Sequence, residues 1–73
     1  MTVETFKAIA LDTIKANPGL TRMEWFNACC ETNQQRNTLW HTFKFQIALV
    51  LILGGQVKAD GDRFFHISHN TQQ

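Results

Sequence analysis

The strongest constraint on this chain lies near its end. An apolar run from Ile47 to Leu53 stops at Gly54-Gly55, and two short runs follow, Gln56-Val57-Lys58-Ala59 and Asp62-Arg63-Phe64-Phe65-His66-Ile67-Ser68, on either side of Asp60-Gly61. A glycine pair ends a helix because glycine adopts the left-handed backbone that closes the last turn at no steric cost. Asp-Gly between two β-prone runs favours a tight hairpin turn, whose central positions need backbone that these two residues tolerate. Helix, glycine stop and antiparallel ribbon is therefore the order expected from Phe45 onward. On the ribbon, Val57 and Ala59 are expected to share the helix-facing side with Phe65 and Ile67, leaving Lys58 and Arg63 nearer solvent.

Upstream, Val3, Phe6, Ile9, Ala10 and Ile14 recur at three- and four-residue steps, which puts them on one face of a helix over residues 3–16. Thr2 caps its start, and Asn17-Pro18-Gly19 ends it, since the residue before proline is pushed out of helical geometry. Thr21-Arg22-Met23-Glu24 fits a capping box, with Leu20 and Trp25 at the staple positions. It predicts a second helix to about Cys30 that buries Trp25 or Phe26 with Cys29. The polar stretch Glu31 to Asn37 leaves two starts open for a third helix, Thr32 with Gln35 in another capping box or Asn37 as the cap. Leu39, Phe43, Ile47, Val50 and Leu51 then form a stripe that carries helix 3 to Leu53, with Trp40 beside it and His41, Lys44 and Phe45 turned elsewhere. The polar close, residues 69–73, is expected to fray.

Length and charge bound the function. A chain of 73 residues is about half a typical domain, so residues 1–73 are expected to form a single unit. Net charge is +1, but no acid falls between Thr32 and Ala59, where Arg36, Lys44 and Lys58 stand, and the remainder is net acidic. The longest charge-free stretch, Phe45 to Val57, has 13 residues, short of the ~20 a spanning helix needs. The amino terminus has no basic region followed by an apolar one. Cys29 and Cys30 are adjacent, a poor arrangement for a staple across a fold. A cytoplasmic protein with two reduced thiols is expected, with no membrane contact.

The order helix, helix, helix, glycine pair and hairpin resembles a winged helix-turn-helix domain. The resemblance covers Phe6 to Ile67. Its most specific part is Leu49-Val50-Leu51-Ile52-Leu53-Gly54-Gly55-Gln56-Val57 followed by Asp60-Gly61 and Phe64-Phe65-His66-Ile67, which looks like a recognition helix running into a wing. Leu20-Thr21 also fits the superfamily's usual entry to its helix-turn-helix. The implied fold class is α+β, three helices with a C-terminal β-hairpin wing. The implied role is a small DNA-binding protein, a transcriptional regulator or accessory factor, with helix 3 in the major groove and the hairpin on backbone or minor groove.

The residue chemistry allows that role. Gln34, Gln35 and Asn37 carry amides able to pair with adenine edges, and Arg36 carries a fork matched to guanine. Thr38, His41 and Lys44 suit bases or phosphates, and Lys58 and Arg63 flank the hairpin tip as phosphate contacts. Double-stranded DNA is the expected partner. Three fixed charges in the acid-free segment is a small endowment that a homodimer would double, and Asp60 and Asp62 at the tip repel phosphate. The alternative is a protein-interaction module of the same architecture, contacting its partner through the apolar end of helix 3, through Phe45 and Trp40, or through the hairpin. The Gln-Gln-Arg-Asn cluster also has a plain reading as a solvated loop, and an aromatic at helical spacing is more often core. The helix 3 tail, apolar all round, means deep burial or a patch for dimerisation.

Catalysis and metal binding are not expected. His66-x-x-His69 sits at the end of a strand, where alternation sends the rings to opposite faces, and His41 is remote in sequence. Cys29 reads as core and Cys30 as partly covered. No phosphate-cradling glycine motif or carboxylate pair occurs, and no cofactor is implied. So short a reading frame suits a phage, plasmid or mobile-element accessory factor.

Overall fold

A computed structural model of the chain describes residues 2–67. His69 and the stretch 69–73, expected to fray, lie outside the described residues. The architecture is α+β, helices packed on a small three-stranded antiparallel sheet.

Helix α1 spans Val3–Ala16, with Thr2 as its cap, and buries Phe6, Ala10 and Ile14. Pro18 and Gly19, the latter at φ +85°, turn the chain into β1, Leu20–Thr21. Helix α2, Arg22–Cys29, starts on the expected capping box: the Glu24 N–H donates to Thr21 Oγ1 at 3.2 Å, and the Thr21 N–H donates to Glu24 Oε1 at 2.9 Å. That backbone bond is the chief reason the Glu24 carboxyl lies below its usual pKa; the Thr21 hydroxyl and Arg63 act the same way. Trp25, Phe26 and Cys29 are all buried.

The third helix differs from expectation. Thr32 does cap a helix in a second capping box, but that helix, α3, ends at Thr38 (Asn33–Thr38) and buries no residue. Leu39, at φ −103° and ψ 2°, leaves helical geometry and breaks the stripe in two. With no residue fully buried, α3 is held by its cap and by polar bonds rather than by an apolar face packed on the core. A new rod then runs through α4 (Trp40–Thr42), a π-helical turn (Phe43–Ala48) and α5 (Leu49–Leu53), with helical dihedrals at both junctions. In the widened turn the Leu49 N–H reaches back to the Lys44 carbonyl. The rod buries Phe43, Ile47, Ala48 and Leu51.

Gly55, at φ +76°, ends the rod as expected. The Gln56 N–H bonds the Leu51 carbonyl at 3.0 Å and the Gly55 N–H bonds the Ile52 carbonyl at 3.1 Å, the paired pattern of a left-handed helix stop. Strands β2 (Val57–Asp60) and β3 (Arg63–His66) form the hairpin, joined by Gly61-Asp62 with Asp60 opposite Arg63. The turn is thus centred one residue later than expected. Gly61, at φ +66°, takes its first central position, and among the described residues none other than glycine has positive φ. The strand order is β1-β3-β2, with Leu20 opposite Phe64 and Thr21 opposite Arg63.

The ribbon's inner face also differs. A two-residue loop sets odd-numbered residues of β2 opposite even-numbered residues of β3, so Ala59 pairs with Phe64 and Val57 with His66. Val57 and Phe64 are the buried pair, while Ala59 is exposed and Phe65 lies half-buried opposite Lys58. Lys58 and Arg63 are exposed, as expected.

The core is built around aromatics. Phe43 lies 5.9 Å from Phe6, 5.0 Å from Trp25, 5.2 Å from Phe26 and 6.3 Å from Trp40, between ring centroids. The Trp25 indole N–H, fully buried, donates to the Ala10 carbonyl at 2.9 Å, which joins α2 to α1.

Candidate functional site

The residues expected to read DNA fall into three groups. On α3, Gln34, Asn37 and Thr38 are exposed, and the Thr38 hydroxyl donates to the Gln34 carbonyl at 2.8 Å within the helix. A second group is committed to the fold. Gln35 Oε1 accepts from the N–H groups of Glu31 at 2.7 Å and Thr32 at 3.3 Å, closing the cap. The Arg36 guanidinium, half-buried, donates to Asn33 Oδ1 at 3.0 Å and to the Cys30 carbonyl at 3.4 Å, fastening the α2–α3 connection. Arg63 donates to the Gly19 carbonyl at 2.8 Å and lies 4.0 Å from the Glu24 carboxylate. Each arginine thus spends part of its guanidinium on acceptors inside the fold, which holds the side chain in place and leaves fewer donors for a phosphate. The third group, His41, Lys44 and Lys58, lies against aromatic rings. His41 stacks on Phe45 at 6.4 Å, Lys44 Nζ sits 5.4 Å from the ring centroids of both Trp40 and Phe45, and Lys58 Nζ sits 5.9 Å from that of Phe65.

What the structure brings together instead is an apolar face on the rod. Phe45, Leu49, Val50 and Leu53 are exposed by 58, 43, 43 and 77%. Single exposed hydrophobic residues are ordinary, but these sit at i, i+4, i+5 and i+8 along one element, as neighbours. Phe45 and Leu49, with Ile52, line a cleft of about 160 Å³ whose other lining residues are Arg22 and Lys44. Arg22 enters from the first turn of α2, its Cζ 5.3 Å from the Phe64 ring centroid. Leu49 and Ile52 fall in the apolar helix end that the sequence offers as a protein contact, whereas Arg22 is not among the expected site residues. The sequence signal for the cleft is a second apolar stripe, Phe45-Leu49-Ile52, offset from the buried Phe43-Ile47-Leu51 stripe; Arg22 carries none, because it is more than twenty positions away and belongs to no binding motif.

The cysteines are covered. Cys29 and Cys30 are free thiols exposed by 3 and 6%, so Cys30 is more deeply covered than expected. Burial pushes the Cys29 thiol from 9.0 up to about 11, against a hydrogen bond with Thr13 that lowers it, and burial raises Cys30 too. A protonated, covered thiol is a poor nucleophile. The raised value also links stability to pH. The native thiol keeps its proton where the unfolded chain has lost it, so the stabilisation is complete below the unfolded value and disappears as pH rises from about 9 to about 11. Between pH about 8 and about 11, in reductant, the unfolding free energy is expected to fall by up to ~2–3 kcal/mol more in the natural chain than in Cys29→Ala. Urea melts at the two pH values measure this, and an equal fall in both proteins refutes it.

Among the described residues, no three His, Cys, Asp or Glu side chains converge to hold a metal ion, and no helix is long and apolar enough to cross a membrane. No family model, no curated protein and no solved structure matches this chain.

Proposed function

We propose that this chain is a winged-helix domain that works as a protein-interaction module, meeting its partner on the exposed apolar face of the 40–53 rod. The carrying observation is the set Phe45, Leu49, Val50 and Leu53, held in water on one element next to a cation-flanked cleft. Burying such a face against a partner recovers ~25 cal/mol per Å² of apolar surface. In a chain this small, a contiguous apolar surface marks a contact site rather than leftover area. The helix order, the short β1 between α1 and α2, and the glycine-stopped rod feeding a hairpin support the winged-helix reading. The commitment of Arg36 and Arg63 to acceptors within the fold favours protein over phosphate.

A second reading, DNA binding, is favoured by one observation: Gln34, Asn37, Thr38 and His41 are exposed within the acid-free stretch, with Lys44 following. Two measurements separate the readings. With a photocrosslinking amino acid placed at Phe45, cells expressing the chain should yield a protein adduct whose amount is unchanged by nuclease and reduced by adding Leu49→Ser, while the same label at Lys15 on α1 yields none. The purified chain should bind random duplex DNA weakly even at about 50 mM salt. Tight, steeply salt-dependent DNA binding that is lost in Asn37→Ala with His41→Ala, with no adduct from position 45, overturns the interaction reading in favour of DNA.

A further inference from the structure

The cleft beside the rod has a charge pattern that selects its occupant. At about 160 Å³ it is smaller than the ~300–1,000 Å³ pockets that hold small-molecule ligands, and it suits one or two apolar side chains delivered by a larger partner. Phe45, Leu49 and Ile52, at i, i+4 and i+7, make one wall a ridge along the rod, and a second helix packs against such a ridge. Arg22 and Lys44 complete the lining. The ion pairs among the described residues are Glu4–Lys7 and Glu24–Arg63, and neither uses these two cations. Both rest on ring faces, Arg22 on Phe64 and Lys44 on Trp40 and Phe45, so their charges are positioned beside the cleft without a carboxylate in place. A second copy of this chain is a poor occupant, because a two-fold pairing of this face sets Arg22 and Lys44 against their own copies, and the rod carries no acid.

We propose that the cleft lined by Arg22, Lys44, Phe45, Leu49 and Ile52 is a docking groove for an acidic amphipathic helix of a partner protein, whose apolar residues fill the cleft while flanking carboxylates pair with Arg22 and Lys44. The assignment rests on the interaction-module reading and names the chemistry of its partner. The apolar wall supplies burial, and the cations set orientation and reject basic or neutral helices.

The test uses the full chain, ¹⁵N-labelled, and three synthetic peptides of about 18 residues, long enough to form helix alone. One has a leucine stripe at i, i+4 and i+7 flanked by glutamates, one has lysine for every glutamate, and one is acidic with the stripe scrambled. The striped acidic peptide is expected to move the amide signals of Arg22, Lys44, Phe45 and Leu49, and to bind about tenfold tighter than the basic one at low salt. Arg22→Gln with Lys44→Gln should bring the two affinities within about twofold while leaving the circular dichroism spectrum of the folded chain unchanged. Equal affinity for acidic and basic peptides, equal affinity for the scrambled one, shifts confined to other residues, or no shifts at about 1 mM peptide each overturn the proposal. A concentration-dependent dimer whose signals broaden at the cleft overturns it in favour of a second copy. A nuclease-resistant adduct from position 45 without peptide discrimination removes the acidic helix alone; loss of both removes the module.

Discussion

Phe43→Ala is expected to cost about 3–5 kcal/mol and to leave the domain unfolded or close to it at room temperature. Phe43 is fully buried and is the hub of the aromatic core, within 5.0–6.3 Å of Phe6, Trp25, Phe26 and Trp40 between ring centroids. Those four rings come from α1, α2 and the start of the rod. Truncation therefore opens a cavity where the helices meet, and rings held from different elements cannot all move in to fill it. Edge and tilted ring pairs add to the loss beyond area alone. A 73-residue domain has a total stability of about 4–11 kcal/mol at the usual ~0.05–0.15 kcal/mol per residue, so one such cavity uses much of it. Urea unfolding followed by tryptophan fluorescence reads the shift in midpoint. A loss under about 1 kcal/mol at constant slope would place the core elsewhere. Phe45→Ala, two residues along and 58% exposed, is the control expected to leave stability nearly unchanged.

How much the sequence discloses tracks the range of the interaction involved. The Thr21–Glu24 capping box and the Gly55 helix stop are closed by residues a few positions apart and form where the residue pattern places them, and of the two starts open for the third helix the equally local Thr32–Gln35 box is the one that forms. Features that depend on distant partners are less visible. Strand β1 is two residues long and exists only because β3, more than forty positions later, lies beside it. The break at Leu39 is hidden because Leu39 and Phe43 continue a perfectly good helical spacing; what fails is burial of α3, which no spacing reveals. Gln35, Arg36 and Arg63 look available to DNA in sequence, yet partners within the fold engage them: Gln35 Oε1 accepts from the Glu31 and Thr32 N–H groups, Arg36 donates to Asn33 Oδ1 and the Cys30 carbonyl, and Arg63 donates to the Gly19 carbonyl 44 positions away. The cleft is the converse case. Leu49 and Ile52 belong to a helix end apolar all round, which leaves burial and an exposed patch both open, and only packing shows that the buried face is already occupied by Ile47, Ala48 and Leu51.

The hairpin supplies the second large effect, with neighbouring phenylalanines as its internal control. Phe64→Ala is expected to destabilise by about 3–5 kcal/mol, whereas Phe65→Ala is expected to cost about 1 kcal/mol or less. Phe64 is 2% exposed, packs 5.4 Å from Trp25, sits between Leu20 and Ala59 in the central strand, and carries the Arg22 guanidinium over its ring. Its loss opens the core and releases a cation of the cleft at once. Phe65 points to the other face, opposite Lys58 and near Gly19, where solvent shares its surface. The contrast depends on strand register alone: a shift of one residue exchanges the two faces and reverses the order of the two costs. Paired urea melts of the two variants therefore read the register directly, and a larger loss at Phe65 than at Phe64 would mean that Gly61-Asp62 does not centre the turn. The acidic peptide should also lose affinity in Phe64→Trp, if that variant stays folded, because the wider indole displaces the Arg22 side chain resting on it. Arg22→Gln in the same background should then cost nothing further, which ties the core side of the sheet to the groove on the rod.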